Sequence, residues 1–203
     1  MKLYSHPFSH NAKRARIGAA ELDVSLTVSV VDFGQGEHKS PAYLAMNPNG
    51  KVPVLQDDDG FTLWESPAML VYLAAKNPAK GLLPSDPRSL ADAMRWMFWN
   101  ASHFERSIDI VVHEKLIKAM RKLPADEAQV KRGMDEIARY APVLNAQLEG
   151  KSWLLGDKFS IADISVGVTA ELGAAVGLDL AQYPHLAAWL GRCKARESWK
   201  KAG

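Results

Sequence analysis

The sequence predicts a two-part protein, a small α/β domain followed by an all-helical bundle, and three observations lead there. Up to about residue 78, short strand-like runs alternate with helical ones. The stretch NPAKGLLPSDP, with three prolines and one glycine, then interrupts both patterns and reads as a linker. Beyond it, apolar residues recur at spacings of three and four, the period of helices with one buried face. The expected domains are residues 1–78 and 86–203.

In chain order, KLYS is strand-like and NAKRARIGAAEL helical, LTVSVV is strand-like and PAYLAM helical, and VPVL and FTLW are strands before the helix PAMLVYLAAK. In the second half, Met94, Met97, Phe98, Ala101, Phe104, Ile108 and Val111 mark one face of a long helix. Val130, Met134, Ile137, Ala141, Leu144 and Leu148 mark another, with a kink expected at Pro142. FSIADI is a helix start: Ser160 caps the amide of Asp163 and Asp163 reaches back to the amide of Ser160. Cys193 shares a face with Leu186, Trp189 and Leu190, which predicts a buried, inert thiol.

The 203 residues include 25 basic and 23 acidic ones, a net charge of +2, so neither nucleic acid nor an anionic membrane has a general electrostatic attraction to this chain. The most apolar stretch, ISVGVTAELGAAVGL, contains Glu171 and is too short to span a bilayer. A single cysteine excludes an internal disulfide and a CxxC motif. With no basic-then-apolar leader pattern, the expected location is cytoplasmic.

The segment NPNGKVPVLQDDDGFTLWES, residues 47–66, carries the most chemistry. A proline at the start of a strand leaves the preceding backbone groups unpaired, so Val52 can offer its amide and carbonyl to an extended peptide. The Val52–Pro53 bond is a candidate cis peptide. Glu65-Ser66 opens a helix whose free amides attract a carboxylate, while the Glu65 side chain complements an amine. An amine, a carboxylate and a peptide edge together describe an amino-acid-like peptide terminus.

The order of LYSHPFS, GEHK, NPNGKVPVL and WES, then a linker, a helical half and FSIADI, resembles the cytosolic glutathione transferases over essentially the whole chain. The resemblance implies a thioredoxin-like N-terminal domain, an all-helical C-terminal domain, homodimers, glutathione as co-substrate without a metal, and an adjoining site for a small hydrophobic electrophile. It implies that Glu65 and Ser66 bind the γ-glutamyl end, and that Val52, before Pro53, pairs with the cysteinyl backbone. His38 and Lys39 match a His-Lys pair of the plant phi class near the glycyl carboxylate, and Lys51 stands where that class has a glutamine. Ser9 is similar to the serine of the phi and theta classes that donates a hydrogen bond to the glutathione sulfur; Asn11 is the second choice for this donor. Tyr4 reads as core, and His10 stands where the beta class has a cysteine. Phe8, His10, Phe104, Ile108 and His113 are the implied walls of the second-substrate pocket.

The implied activity is conjugation of glutathione to an electrophile, or reduction by it; the rivals are a glutathione-dependent isomerase and a non-catalytic binding protein of the same fold. Read from spacing alone, Ser9 is a helix cap before it is anything else, with Asn11 as the alternative cap. His6 and His10 are four apart, but Pro7 and the turn between them break the helical alignment that two metal ligands need. Ser9 lacks the G-x-S-x-G context of a hydrolase nucleophile. Lys13, Arg14 and Arg16 read as a solvated helix face.

Overall fold

Lys2–Ser5 alternates half-buried with buried positions, the period of a strand with one face on a core, and forms β1. In the computed structural model, which describes residues 1–202, it is followed by α1 (His10–Glu21), β2 (Thr27–Val30), α2 (Pro41–Met46), β3 (Val54–Gln56), β4 (Thr62–Leu63) and α3 (Ser66–Lys76). The strands pair in the order β2-β1-β3-β4. β1 runs parallel to β2, with Leu3 opposite Val28, and antiparallel to β3, with Leu3 opposite Leu55. The parallel pair needs a crossover, which α1 supplies, and the antiparallel pair β3–β4 needs only a hairpin. Leu3, Ile17, Leu55, Met69, Leu70 and Leu73 close the core between sheet and helices. This is the expected α/β domain of thioredoxin-like type.

The chain divides into two compact units, one made of Met1–Leu83 with the segment from Arg196 onward, the other of Pro84–Ala195. The linker residues up to Leu83 therefore pack with the first unit, and so does α10 (Glu197–Lys201), which the sequence reading placed in the helical domain. The reason is electrostatic and long-range: the Arg196 guanidinium donates to both carboxylate oxygens of Glu21 at 2.6 Å, and the Ser198 hydroxyl donates to the same carboxylate. Arg16 adds two bonds to the carbonyl of Ala202, at 3.0 and 3.2 Å.

Asp57, just after β3, is held down to about 2 by a hydrogen bond from Lys76, then by the Tyr72 hydroxyl and the Asp58 amide. A carboxyl depressed in the folded state contributes stability above its unfolded value of about 3.9, and that contribution disappears as pH falls toward the folded value. Asp57→Asn is therefore expected to flatten the pH dependence of the melting temperature between about pH 4 and 2. An unchanged acid limb would show that Asp57 does not couple to folding.

In the second unit a continuous helical rod comprises α4 (Pro87–Trp99), a π-helical turn (Asn100–Phe104), α5 (Glu105–Val112), a second π-helical turn (His113–Ile117) and α6 (Lys118–Met120). The extra residue of the first π turn resets the buried face. Ala93, Trp96, Met97, Asn100, Phe104, Ile108 and Val111 point inward, whereas Phe98 and Ala101, expected inside, are exposed. α7 (Glu127–Gln147) runs through Pro142 and crosses α5 closely at Gly133, where a Cβ would come within 2.6 Å of Val111. α8 (Ile161–Val176) is buried from Ile161 to Ala170 on every face, as a helix at the centre of a bundle is, and α9 (Pro184–Ala195) buries Cys193 with Leu186, Trp189 and Leu190.

The capping box at the start of α8 is present. One oxygen of Asp163 accepts from the Ser160 amide (2.9 Å) and hydroxyl (3.0 Å), the other from the Leu154 amide (2.8 Å) and the Trp189 indole (2.9 Å). Burial pushes this carboxyl up, against the pull of those four donors. Asp163→Ala strands buried donors on three segments and is expected to cost about 3 kcal/mol or more, measured by urea unfolding. A loss below about 1 kcal/mol would mean that water replaces the carboxylate.

Candidate functional site

The first turn of α1 carries the first part of the site. Ser9 is extended (φ −85°, ψ 111°) and its Oγ accepts from the Ala12 amide at 3.2 Å, so Ser9 is the helix cap. The cap uses a lone pair and leaves the hydroxyl proton free to donate, so capping and donation to a ligand are compatible at one residue. Asn11 is not the cap. Its Oδ1 accepts from the Ser66 hydroxyl at 2.8 Å and from the Arg14 guanidinium, and its Nδ2 lies 3.2 Å from Nε2 of His10.

Arg14 also donates to Ser66 Oγ, at 2.8 Å, and has no exposed surface. The expected solvated face is corrected here: Arg14 is buried because α3 packs on α1, and Arg16 is half-buried, bonded to Ser5 Oγ at 3.0 Å and to Ala202. Ser66 is the first residue of α3, so the N-terminal ends of α1 and α3 meet across Asn11 and Arg14. Two helix N-termini and a guanidinium at one locus favour an anion. Glu65, immediately before, is exposed and takes φ 70°, ψ 103°, a left-handed conformation that costs a non-glycine residue of order 1–3 kcal/mol and persists where the surroundings require it.

The third part is the loop before β3. The Val52–Pro53 bond is cis, as the sequence suggested. Lys51 is fixed through its carbonyl, which accepts from the Tyr43 hydroxyl at 2.9 Å and the Asn47 amide at 2.7 Å. Burial, with a smaller contribution from Tyr4, pushes the Tyr43 phenol up to about 12, so it stays a donor across neutral pH. β3 begins only at Val54, leaving half-buried Val52 outside the ladder. Gly50, at φ +60°, lies against the His38 carbonyl, which a Cβ would approach to 3.1 Å. This contact sets Lys51 beside the short 3₁₀ turn Glu37–Lys39, which carries His38 and Lys39. Lys39 and Lys51 are exposed; the Nδ1 of His38 is buried and has no hydrogen-bond partner among the described residues. Tyr4 is half-buried in β1, edge-on to Tyr43 at 6.2 Å, with its hydroxyl 3.3 Å from Gln56.

Residues 1–75 match the family model of the glutathione S-transferase N-terminal domain, and residues 108–197 match that of the C-terminal domain. The chain belongs to the glutathione S-transferase family. The transferase is 35% identical over 204 residues to a probable glutathione S-transferase of Oryza sativa subsp. japonica, covering 99% of this chain and 94% of that one. Among solved structures, glutathione transferase F2 from Populus trichocarpa aligns with a TM-score of 0.92 at 26% identity, over 99% of this chain and 96% of that one. A glutathione transferase homolog from Sulfitobacter, solved with bound glutathione, aligns with a TM-score of 0.83 at 28% identity, over 98% and 95% of the two chains.

In this transferase the residues expected at the glutathione site, Ser9, His38, Lys39, Lys51, Val52, Pro53, Glu65 and Ser66, all lie in the first unit. The expected second-substrate walls fare differently. Phe104 and Ile108 are fully buried, Phe104 stacked on Trp99 at 5.5 Å and Ile108 packed over Gly173, so both are core of the helical unit and not pocket walls. His113 is exposed at a groove with Arg106, Ile110, Gln129 and Arg132, its Nδ1 3.1 Å from Glu114. Phe8 is 84% exposed and His10 half-buried, both flanking Ser9. Sequence reasoning missed Arg14 and the stacked pair His6–Phe33. Among the described residues no group of three or more His, Cys, Asp or Glu side chains is placed to hold a metal ion, and no helix is long and apolar enough to cross a membrane.

Proposed function

We propose that the protein binds glutathione along the first unit, stabilises its thiolate with the Ser9 hydroxyl and joins the glutathione sulfur to a small hydrophobic electrophile. The observation that carries this reading is the meeting of the α1 and α3 N-termini at Asn11, Arg14 and Ser66, two residues from Ser9. The Ser66 hydroxyl proton is committed to Asn11, so the γ-glutamyl carboxylate is taken by the amides that open α3, with Glu65 facing the amine. Val52 pairs with the cysteinyl backbone, and His38, Lys39 and Lys51 hold the glycyl carboxylate. The sulfur forms a bond to an electrophilic carbon as the leaving group departs, or as a conjugated acceptor takes a proton. The enzyme works in the cytoplasm as a homodimer.

The chemistry is differential. A thiol with a reference pKa of about 8.5 is mostly protonated at neutral pH, so each unit of depression raises the nucleophile nearly tenfold. Holding glutathione tightly without that depression adds nothing to turnover. The test is a glutathione titration that follows thiolate ultraviolet absorbance across pH. Ionisation of bound glutathione well below that of the free thiol is expected; binding without ionisation would instead support a non-catalytic binding protein.

A further inference from the structure

We propose that His6 is a positioning residue with two separable tasks: its ring nitrogen fixes the turn that presents Ser9, and its ring face, through Phe33, fixes His38. This rests on the glutathione site proposed above, in which Ser9 serves the sulfur and His38 the glycyl end.

The turn is His6-Pro7-Phe8-Ser9, closed by the Ser9 amide donating to the His6 carbonyl at 3.0 Å. Its two central residues, Pro7 and Phe8, are exposed, with Phe8 at 84%, so no buried side chain in the middle of the turn anchors it. The turn is held from its two ends, at Ser9 by the first turn of α1 and at His6, whose ring also meets the Phe8 ring at 5.7 Å. The Nδ1 of His6 accepts a long bond, 3.4 Å, from the Phe8 amide, the side-chain-to-backbone pattern that holds turns together. Its ring lies flat on Phe33 at 4.6 Å and 13°, and Phe33 meets His38 edge-on at 4.8 Å and 76°. Phe33 itself remains 42% exposed, with both histidine rings packed against it. The row His6–Phe33–His38 thus spans from the turn before α1 to the 3₁₀ turn that bears Lys39. A leucine at position 6 would do neither task, a phenylalanine only the stacking, an asparagine only the accepting.

That division is the experiment. His6→Phe keeps the ring and loses the acceptor: kcat is expected to fall about tenfold while KM for glutathione stays within about twofold. His6→Asn restores an acceptor at the reach of an Asx turn and loses the ring: kcat is expected near wild type while KM for glutathione rises about fivefold. His6→Ala shows both effects. Equal shifts of kcat and KM in the first two variants, no shift in either, or losses that merely follow melting temperature would overturn the proposal. Ser9→Ala is measured alongside by thiolate absorbance. If bound glutathione ionises unchanged in that variant, the role assigned to Ser9 fails on its own account; if Ser9 matters and the His6 variants do not split, only the positioning role fails.

Discussion

Ser9→Ala is expected to lower turnover roughly 10- to 100-fold near neutral pH, with KM for glutathione within about threefold of wild type. In the proposed binding mode the variant keeps the contacts to both ends of the peptide and loses the Ser9 donor to the charge that makes the sulfur nucleophilic. The deficit is expected to shrink as pH rises toward about 8.5, where free glutathione ionises without help. Ser9 is also the α1 cap, its Oγ on the Ala12 amide, so alanine costs about 1 kcal/mol of stability as well. Ser9→Gly separates the two roles: glycine caps nearly as well, so stability is expected to recover within a few tenths of a kcal/mol while turnover stays low. Stopped-flow thiolate absorbance and urea unfolding on both variants read the two effects independently. Turnover that recovers with the glycine cap would show that Ser9 acts only through the helix.

What the sequence disclosed followed the range of the forces involved. The Ser160–Asp163 capping box and the cis bond at Pro53 are set by residues a few positions apart, and both are readable locally. The strand and helix periods are read the same way, because each element buries one face of a repeating pattern. Arg14 was not readable: its burial depends on Ser66, 52 residues on, so helical spacing alone describes it as a solvated cation. The last helix misled for a similar reason, since Arg196 and Glu21 are 175 residues apart. Phe104 and Ile108 read as inward-facing and only the resemblance makes them pocket walls, because periodicity marks an inward face without saying whether the space beyond it is filled; both are fully buried. The π turn at Asn100 left no pattern of its own and appears only as the displacement of Phe98 and Ala101 to the surface.

Arg14→Met is expected to raise the dissociation constant for glutathione about 30-fold or more, the largest binding effect of any single change in the first unit. Methionine keeps most of the volume, removes the charge, and takes a donor away from both Asn11 Oδ1 and Ser66 Oγ. The first loss weakens the attraction of the site for an anion; the second frees the two helix N-termini to drift, so their amides no longer converge. The unliganded protein is expected to lose about 2 kcal/mol, much less than the liganded one. Arg14→Lys returns the charge without the planar fork that reaches two acceptors, so it is expected to restore only part of the affinity. Melting curves with and without saturating glutathione distinguish these contributions, because a ligand raises stability in proportion to the logarithm of its concentration over its dissociation constant. A large ligand-induced shift in wild type that survives in Arg14→Met would mean that the guanidinium only props α1 against α3. A shift that collapses in methionine and partly returns in lysine would mean that the buried cation, through Asn11 and Ser66, supports the hold of the α3 amides on the γ-glutamyl carboxylate.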